Sequence, residues 1–337
     1  MILTGMKRFL ILAAIACLAP AAVFAGVVPV IFDTDIGNDV DDALALAMLH
    51  ALESRGECRL LAVTVTKDNP WSAAYVDLVN TFYGRPGIPV GVVKGSGITP
   101  ESSRMIQVPA ERKDANGRPV YPHRLASGAD APDAVAVLRR VLAAEQDDSV
   151  VIVQVGFSTN LARLLESGPD AASPLAGREL ARRKVRLLCL MAGNFRENSP
   201  EFNVKMDVGS AQKVFGQWPS RIVTSGYEIG ASMLFPASSI ERDFAYTQNH
   251  PVADAYRNYM RMPYDRPTWD LTAALYAVRP DRGYFSLSPA GSITVDAQGR
   301  TLFTPGANGR HQYLIVSDAQ RARTLECMVL LSSQPPR

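Results

Sequence analysis

The stretch Val28–Leu46 reads VPVIFDTDIGNDVDDALAL, and its two halves ask for different structures. The apolar run Val27–Phe32 has the length and β-branched content of a buried strand. Asp33, Asp35, Asp39, Asp41 and Asp42 then fall within ten residues. Directly behind them, Ala43, Leu44, Ala45, Leu46 and Met48 suit a buried helix. Strand, polar turn and helix in that order open an α/β unit. Gly37 lets the turn bend tightly enough for the acids to converge. Five carboxylates on one turn repel one another unless a positive charge sits among them. A hard divalent cation with oxygen ligands, Ca²⁺ or Mg²⁺, is the economical remedy. The plainer alternative is a solvated acidic turn that caps the next helix. It is disfavoured because the acids stand immediately behind a buried strand.

Working outward, strand-like and helix-like segments alternate. Strands are expected at Arg59–Thr66, Ile88–Val93, Ser149–Val155, Val185–Met191 and Arg221–Thr224. Helices are expected at Asp42–Leu52, Trp71–Tyr83, Asp133–Ala144, Ser158–Ser167, Asp207–Phe215, Val252–Arg261, Thr268–Val278 and Asp318–Leu331. Residues Lys94–Pro132 read as one long loop, a lid or a disordered insertion. Turns and alternation over Tyr284–Val316 suggest a small antiparallel patch. The pattern predicts a single α/β domain of Rossmann-like type, with a mainly parallel sheet covered by helices on both faces. In such folds the site lies beyond the carboxyl ends of the strands. Asp35, Asn69, the Val155–Gly156 peptide and Asn194 each follow a strand directly.

The 337 residues are 47% hydrophobic and 20% charged, with a formal net charge of +2. That balance gives no support for a nucleic-acid partner. Lys7 and Arg8, the apolar run Phe9–Leu18 and small residues up to Ala25 read as a signal peptide over residues 1–25. The catalytic domain is then residues 26–337, in an exported, periplasmic or secreted protein without a stable membrane partner. Beyond Cys17, the cysteines Cys58, Cys189 and Cys327 form no disulfide framework and no zinc spacing, and read as buried thiols.

Four segments in order carry a resemblance: Asp33-Thr34-Asp35 through Asp41-Asp42-Ala43; Gly156-Phe157-Ser158-Thr159-Asn160-Leu161; Gly193-Asn194 with Glu201-Phe202-Asn203; and Trp269-Asp270-Leu271. Together they resemble the nucleoside hydrolases of the inosine-uridine-preferring superfamily, calcium-dependent N-ribohydrolases. The resemblance implies that Asp35, Asp42, Asp270 and the carbonyl of Val155 hold Ca²⁺. It makes Asp35 the base that deprotonates a metal-bound water, and Asp33 its support. It assigns Asp41, Asn69, Asn194, Glu201 and Asn203 to the sugar hydroxyls of a nucleoside or related riboside. It also implies a homo-oligomer, dimer or tetramer. Such chemistry suits the residues: N-glycosidic cleavage builds positive charge at the anomeric carbon, which carboxylates stabilise.

Two departures from the family pattern bear on substrate. Two extra residues separate Gly37 from Asp41-Asp42-Ala43, leaving Asp39 and Asp41 as alternatives for the residue that faces the ribose. Where inosine-uridine-preferring members carry histidine, this chain has Trp269. Purine-specific members have tryptophan there, so Trp269 tilts the expectation toward purine nucleosides, with core packing as its competitor. Trp71 reads as a helix-start staple, and Tyr256 and Tyr259 as core. His50 reads as structural or solvated, and His123 and His250 are weak alternatives for a leaving-group acid. Two rival readings stand beside the hydrolase: a haloacid-dehalogenase-type phosphatase, from the Asp33-Thr34-Asp35 strand end, and a riboside-binding protein without turnover.

Overall fold

A computed structural model describes residues 26–95 and 103–337, so the expected signal peptide lies outside the described residues. In chain order the elements are β1 (Val28–Thr34), α1 (Asp41–Ser54), β2 (Cys58–Val65), α2 (Ser72–Phe82), β3 (Val90–Val92), α3 (Arg104–Glu111), α4 (Ala134–Ala144), β4 (Val150–Gln154), α5 (Thr159–Glu166), α6 (Gly177–Lys184) and β5 (Val185–Met191). There follow α7 (Phe202–Met206), α8 (Val208–Gln217), β6 (Arg221–Ser225), α9 (Tyr227–Ala231), β7 (Leu234–Phe235), α10 (Ala237–Arg242), α11 (Pro251–Tyr259), β8 (Arg266–Pro267), α12 (Trp269–Val278), β9 (Ser286–Leu287), β10 (Gly291–Val295), β11 (Thr301–Pro305), β12 (His311–Ile315) and α13 (Asp318–Ser332).

Strand β1 is central. It pairs in parallel with β2 on one side and β4 on the other, setting Asp33 opposite Thr64 and Gln154. Both its faces are covered, which is why its sequence is a continuous apolar run rather than an alternating one. Helix α1 is buried from Asp41 to Leu52, so it too is apolar around its whole circumference. The strand order β11-β10-β12-β6-β5-β4-β1-β2-β3 reverses direction at β1. A crevice forms at that switch point, beyond the strand ends. Two apolar clusters flank the sheet, one holding α1, α2, α11 and α12, the other α4, α5, α6 and α8.

The antiparallel patch is present but does not stand apart. Strands β10 and β11 pair antiparallel, while β12 joins β6 in parallel and extends the main sheet. The Lys94–Pro132 loop is corrected. Within it α3 buries Met105, Ile106, Pro109 and Ala110, and the helix is amphipathic despite its internal proline. The first turn of α3 packs beside the acidic turn: a Cβ on Gly37 would come within 2.8 Å of Ile106 Cδ1, and Gly37 has φ +119°. Only glycine takes that backbone conformation without strain. Cys58 and Cys189 are buried and Cys327 half-buried, all as free thiols. Among the described residues no helix is long and apolar enough to cross a membrane.

Candidate active site

A cavity of 290 Å³ opens beyond the carboxyl ends of β1, β4 and β5. Its acidic wall holds Asp35, Asp39, Asp41, Asp42, Asp270 and Glu201, with the Val155 peptide and Asn203 beside them. Tyr227, Tyr259, Trp269 and Phe202 form its aromatic side.

Asp41 and Asp42 occupy the first turn of α1, and Asp270 the first turn of α12. The positive ends of both helices therefore point at the same place. Carboxylate oxygens of these three buried residues lie within 4.8 Å of one another. Asp41 Oδ2 accepts the amide of Asp270 at 3.0 Å, and Asp42 accepts the Thr34 hydroxyl. Burial lifts the carboxyls of Asp41, Asp42 and Asp270 well above the usual carboxylate range, and repulsion from neighbouring carboxylates, Asp35 and Asp39 among them, adds to the shift. Such a cluster is relieved either by protons or by a cation. Three carboxylates from two helices, with a backbone carbonyl on the same cavity, form an all-oxygen donor set that fits a hard divalent ion.

Asp35 lines the same cavity but is not one of the convergent trio. Its Oδ2 accepts the amide nitrogen of Asn38 at 2.5 Å, and Asn38 Oδ1 in turn accepts the ammonium of buried Lys67. Burial raises the Asp35 carboxyl to about 6, against the lowering effects of Asn38 and of the Lys67 charge. That value leaves it ionised and basic near neutral pH. Asp33 lies wholly buried behind it. Its Oδ1 accepts Thr64 Oγ1 and Asn160 Nδ2, and burial pushes the carboxyl up to about 7.

Val155 is held on both sides. Its amide donates to the Asp33 carbonyl at 2.7 Å, and its own carbonyl accepts Asn203 Nδ2 at 2.8 Å. The next residue must be small: a Cβ on Gly156 would lie 2.5 Å from both the Asp35 amide and Thr66 Oγ1. Glu201 caps α7 by accepting the amides of Asn203 and Val204, and burial raises it to about 7.

Two residues expected at the sugar, Asn194 and Asn69, are not among those lining the cavity. The Asn194 side chain pins its own loop, accepting the Glu197 amide and donating to Ser199 Oγ, each at 2.9 Å. Asn69 lines a neighbouring cavity with Lys67 and Gly128, and its Oδ1 accepts the Trp71 amide at 2.9 Å, shaping the start of α2. In both, the side-chain oxygen accepts a backbone amide of the turn that follows the strand. Asp39 and Asp41 both reach the cavity, but Asp39 is ion-paired with Arg266.

Trp269 sits on the cavity wall with its ring 5.5 Å from Tyr227 and its Nε1 donating to the Tyr227 carbonyl at 3.0 Å. Tyr256 is core, whereas Tyr259 is not: it lines the cavity from the last turn of α11. His50 and His250 are buried outside the cavity, and burial lowers each to about 3. His123 lines another cavity, bonded to the Tyr121 carbonyl. Trp71 packs partly buried at the start of α2 and donates to Glu111.

Sequence reasoning missed Asn38, Lys67, Tyr227 and Arg266. Tyr227 was findable, since it stands two residues past the end of β6, where site residues are expected.

An acid-lined cavity with one aromatic side stands where the strand order of the parallel sheet reverses, the place where α/β folds of this kind carry their sites. The chain belongs to the inosine-uridine preferring nucleoside hydrolase family, whose model matches residues 30–327. It is thereby an N-glycosyl hydrolase of a metal-dependent family. The fold is similar to that of an inosine-uridine preferring nucleoside hydrolase from Bacillus anthracis, with TM-score 0.67, 18% identity, and coverage of 91% of this chain and 99% of that one. A purine-preferring ribonucleoside hydrolase from Gardnerella vaginalis matches with TM-score 0.65 and 19% identity over 90% of this chain and 98% of the other. The type III effector protein XopQ, solved with adenosine diphosphate ribose, matches with TM-score 0.64 and 17% identity over 92% and 93%. No curated protein matches the chain in sequence. The family assignment removes the phosphatase alternative.

Proposed function

We propose that this chain hydrolyses the N-glycosidic bond of ribonucleosides with Ca²⁺, favouring purines. The observation that carries the reading is the convergence of buried Asp41, Asp42 and Asp270 on a cavity shared with Asp35. The trio, with Asp35 and the Val155 carbonyl close by, would hold the ion. Ca²⁺ is preferred over Mg²⁺ because it accepts a large, flexible oxygen shell. When bound, the cation supplies Lewis acidity toward the attacking water and ligation for the ribose diol.

The remaining chemistry belongs to the side chains. Asp35 accepts the proton of the attacking water, and its raised basicity suits that task. Asp41, Glu201 and Asn203 grip the sugar hydroxyls and fix its position. The surrounding carboxylates stabilise positive charge at the anomeric carbon as the bond to the base lengthens. Trp269 and Tyr227 offer aromatic faces to the base, which supports the purine preference.

The test is ribose release from inosine, adenosine, guanosine, uridine and cytidine, with added Ca²⁺ and after chelation, beside an Asp35→Ala variant. Release that vanishes with chelation and in the variant is expected. Absence of release from all five by folded, Ca²⁺-loaded protein overturns the reading. Tight nucleoside binding in that case points to a riboside-binding role.

A further inference from the structure

The cavity has an acid-rich side, but the departing base also needs help, because a purine or pyrimidine anion is a poor leaving group. Among the described residues no histidine lines the cavity. His50, His123 and His250 are engaged elsewhere, and His311 accepts the Ile293 amide in the C-terminal sheet. Among the described residues a single cation lines it, Arg266.

Arg266 is fixed on three sides. Its Nε donates to both carboxylate oxygens of Asp39, at 2.9 and 3.1 Å, and its Nη2 joins the same carboxylate. Nη2 also donates to the Tyr259 hydroxyl at 3.0 Å. The guanidinium carbon lies 5.1 Å from the Tyr259 ring centroid and 5.2 Å from that of Trp269. These contacts anchor the charge on the aromatic side of the cavity, where a base would sit. They use Nε and Nη2, and among the described residues Nη1 makes no hydrogen bond. Asp39 reaches this position from the turn that carries two extra residues between Gly37 and Asp41.

We propose that Arg266 is a catalytic residue that stabilises the departing base. The assignment rests on the nucleoside hydrolase reading. The bond from C1′ to the base nitrogen breaks with its electron pair moving to the base. The water oxygen bonds to C1′, and the water proton passes to Asp35. Nη1 of Arg266 hydrogen-bonds the base as negative charge grows on it, and the base then takes a proton from solvent. Arg266 remains a cation throughout, since a guanidinium does not release its proton in this range. It acts by preorganised charge rather than by acid catalysis, and Asp39 and Tyr259 hold it in place.

The test compares two substrates in Ca²⁺-loaded protein: inosine, whose base leaves poorly, and p-nitrophenyl β-D-ribofuranoside, whose leaving group needs no help. Arg266→Met is expected to lower kcat on inosine by about 100-fold or more, the scale for removing one preorganised donor. Arg266→Lys, which keeps the charge, should recover part of that loss. The nitrophenyl riboside should lose less than about fivefold in either variant, since the charge stabilisation is not needed there. Equal losses on both substrates would assign Arg266 a structural role and overturn the proposal, as would an unchanged inosine rate. Retained nitrophenyl activity also reports that the variant is folded. Wild-type protein inert toward both ribosides would instead sink the hydrolase reading, and this proposal with it.

Discussion

The backbone amide of Asp270 donates to Oδ2 of Asp41 over 3.0 Å, though the two residues stand 229 apart in the chain. One hydrogen bond thus ties the first turn of α1 to the first turn of α12, and the acid cluster forms only when both ends of the domain are in place.

Asp41→Asn keeps an oxygen acceptor for that amide and removes one repelling charge. In chelator the variant's Tm should rise by about 1–2 °C, equivalent to ~1 kcal/mol of relieved repulsion in a domain of this size. The further rise on adding Ca²⁺ should shrink, because a ligand charge is gone. Thermal unfolding with and without Ca²⁺ checks both. A wild-type response to Ca²⁺ would exclude Asp41 from the metal site.

The buried carboxyls set a pH dependence of stability. Asp33 and Glu201 are raised to about 7 from ordinary values of 3.8 and 4.5. The native state therefore holds protons that the unfolded chain has released. Their contribution is full below about pH 4 and is lost as pH climbs through about 7, at about 1.4 kcal/mol per pH unit for each group within that window. Chelated protein should melt at a lower temperature at pH 8 than at pH 5.5. A flat or rising Tm across that range would contradict the assignment.

Asn38 and Lys67 both hold the Asp35 carboxyl below the level that burial alone would impose. Asn38→Ala should therefore shift the acid limb of the kcat/KM profile to higher pH, and Lys67→Met should shift it the same way. The pH–rate profile is the measurement. A limb that stays put would mean that another group controls it.

Trp269→Ala should cost purine nucleosides more than pyrimidines in kcat/KM, by up to about tenfold, the scale of one lost aromatic contact. The ratio of inosine to uridine turnover is the readout. An unchanged ratio would leave Trp269 as packing alone.

Much of this arrangement was legible in the sequence. The Val28–Leu46 stretch announced a buried strand running into an acidic turn because burial on both faces removes alternation. The acids at Asp35, Asp41, Asp42 and Asp270 line one cavity. The grouping within that set was less legible. The resemblance implies a metal set of Asp35, Asp42, Asp270 and the Val155 carbonyl, and the carboxylates that lie within 4.8 Å of one another are Asp41, Asp42 and Asp270. Spacing along a chain does not reveal that an inserted amide occupies the Asp35 carboxylate. Asn69 and Asn194 follow strands as the expected sugar ligands do, and what the sequence does not reveal is that their side-chain oxygens also accept turn amides. Helix α3 was hidden by Pro109 and polar neighbours, and its amphipathic character emerges only against α2 and α11. Arg266 carried no signal, lying in a two-residue strand just before α12.

The chain Lys67–Asn38–Asp35 separates two properties that most active sites keep together. The strength of the proposed base, set first by burial, is trimmed by an amide on the half-buried turn at Asn38 that is no member of the acid trio. A lineage can therefore retune the pH at which this site works by editing one short turn, while every residue that grips ion or sugar stays as it is.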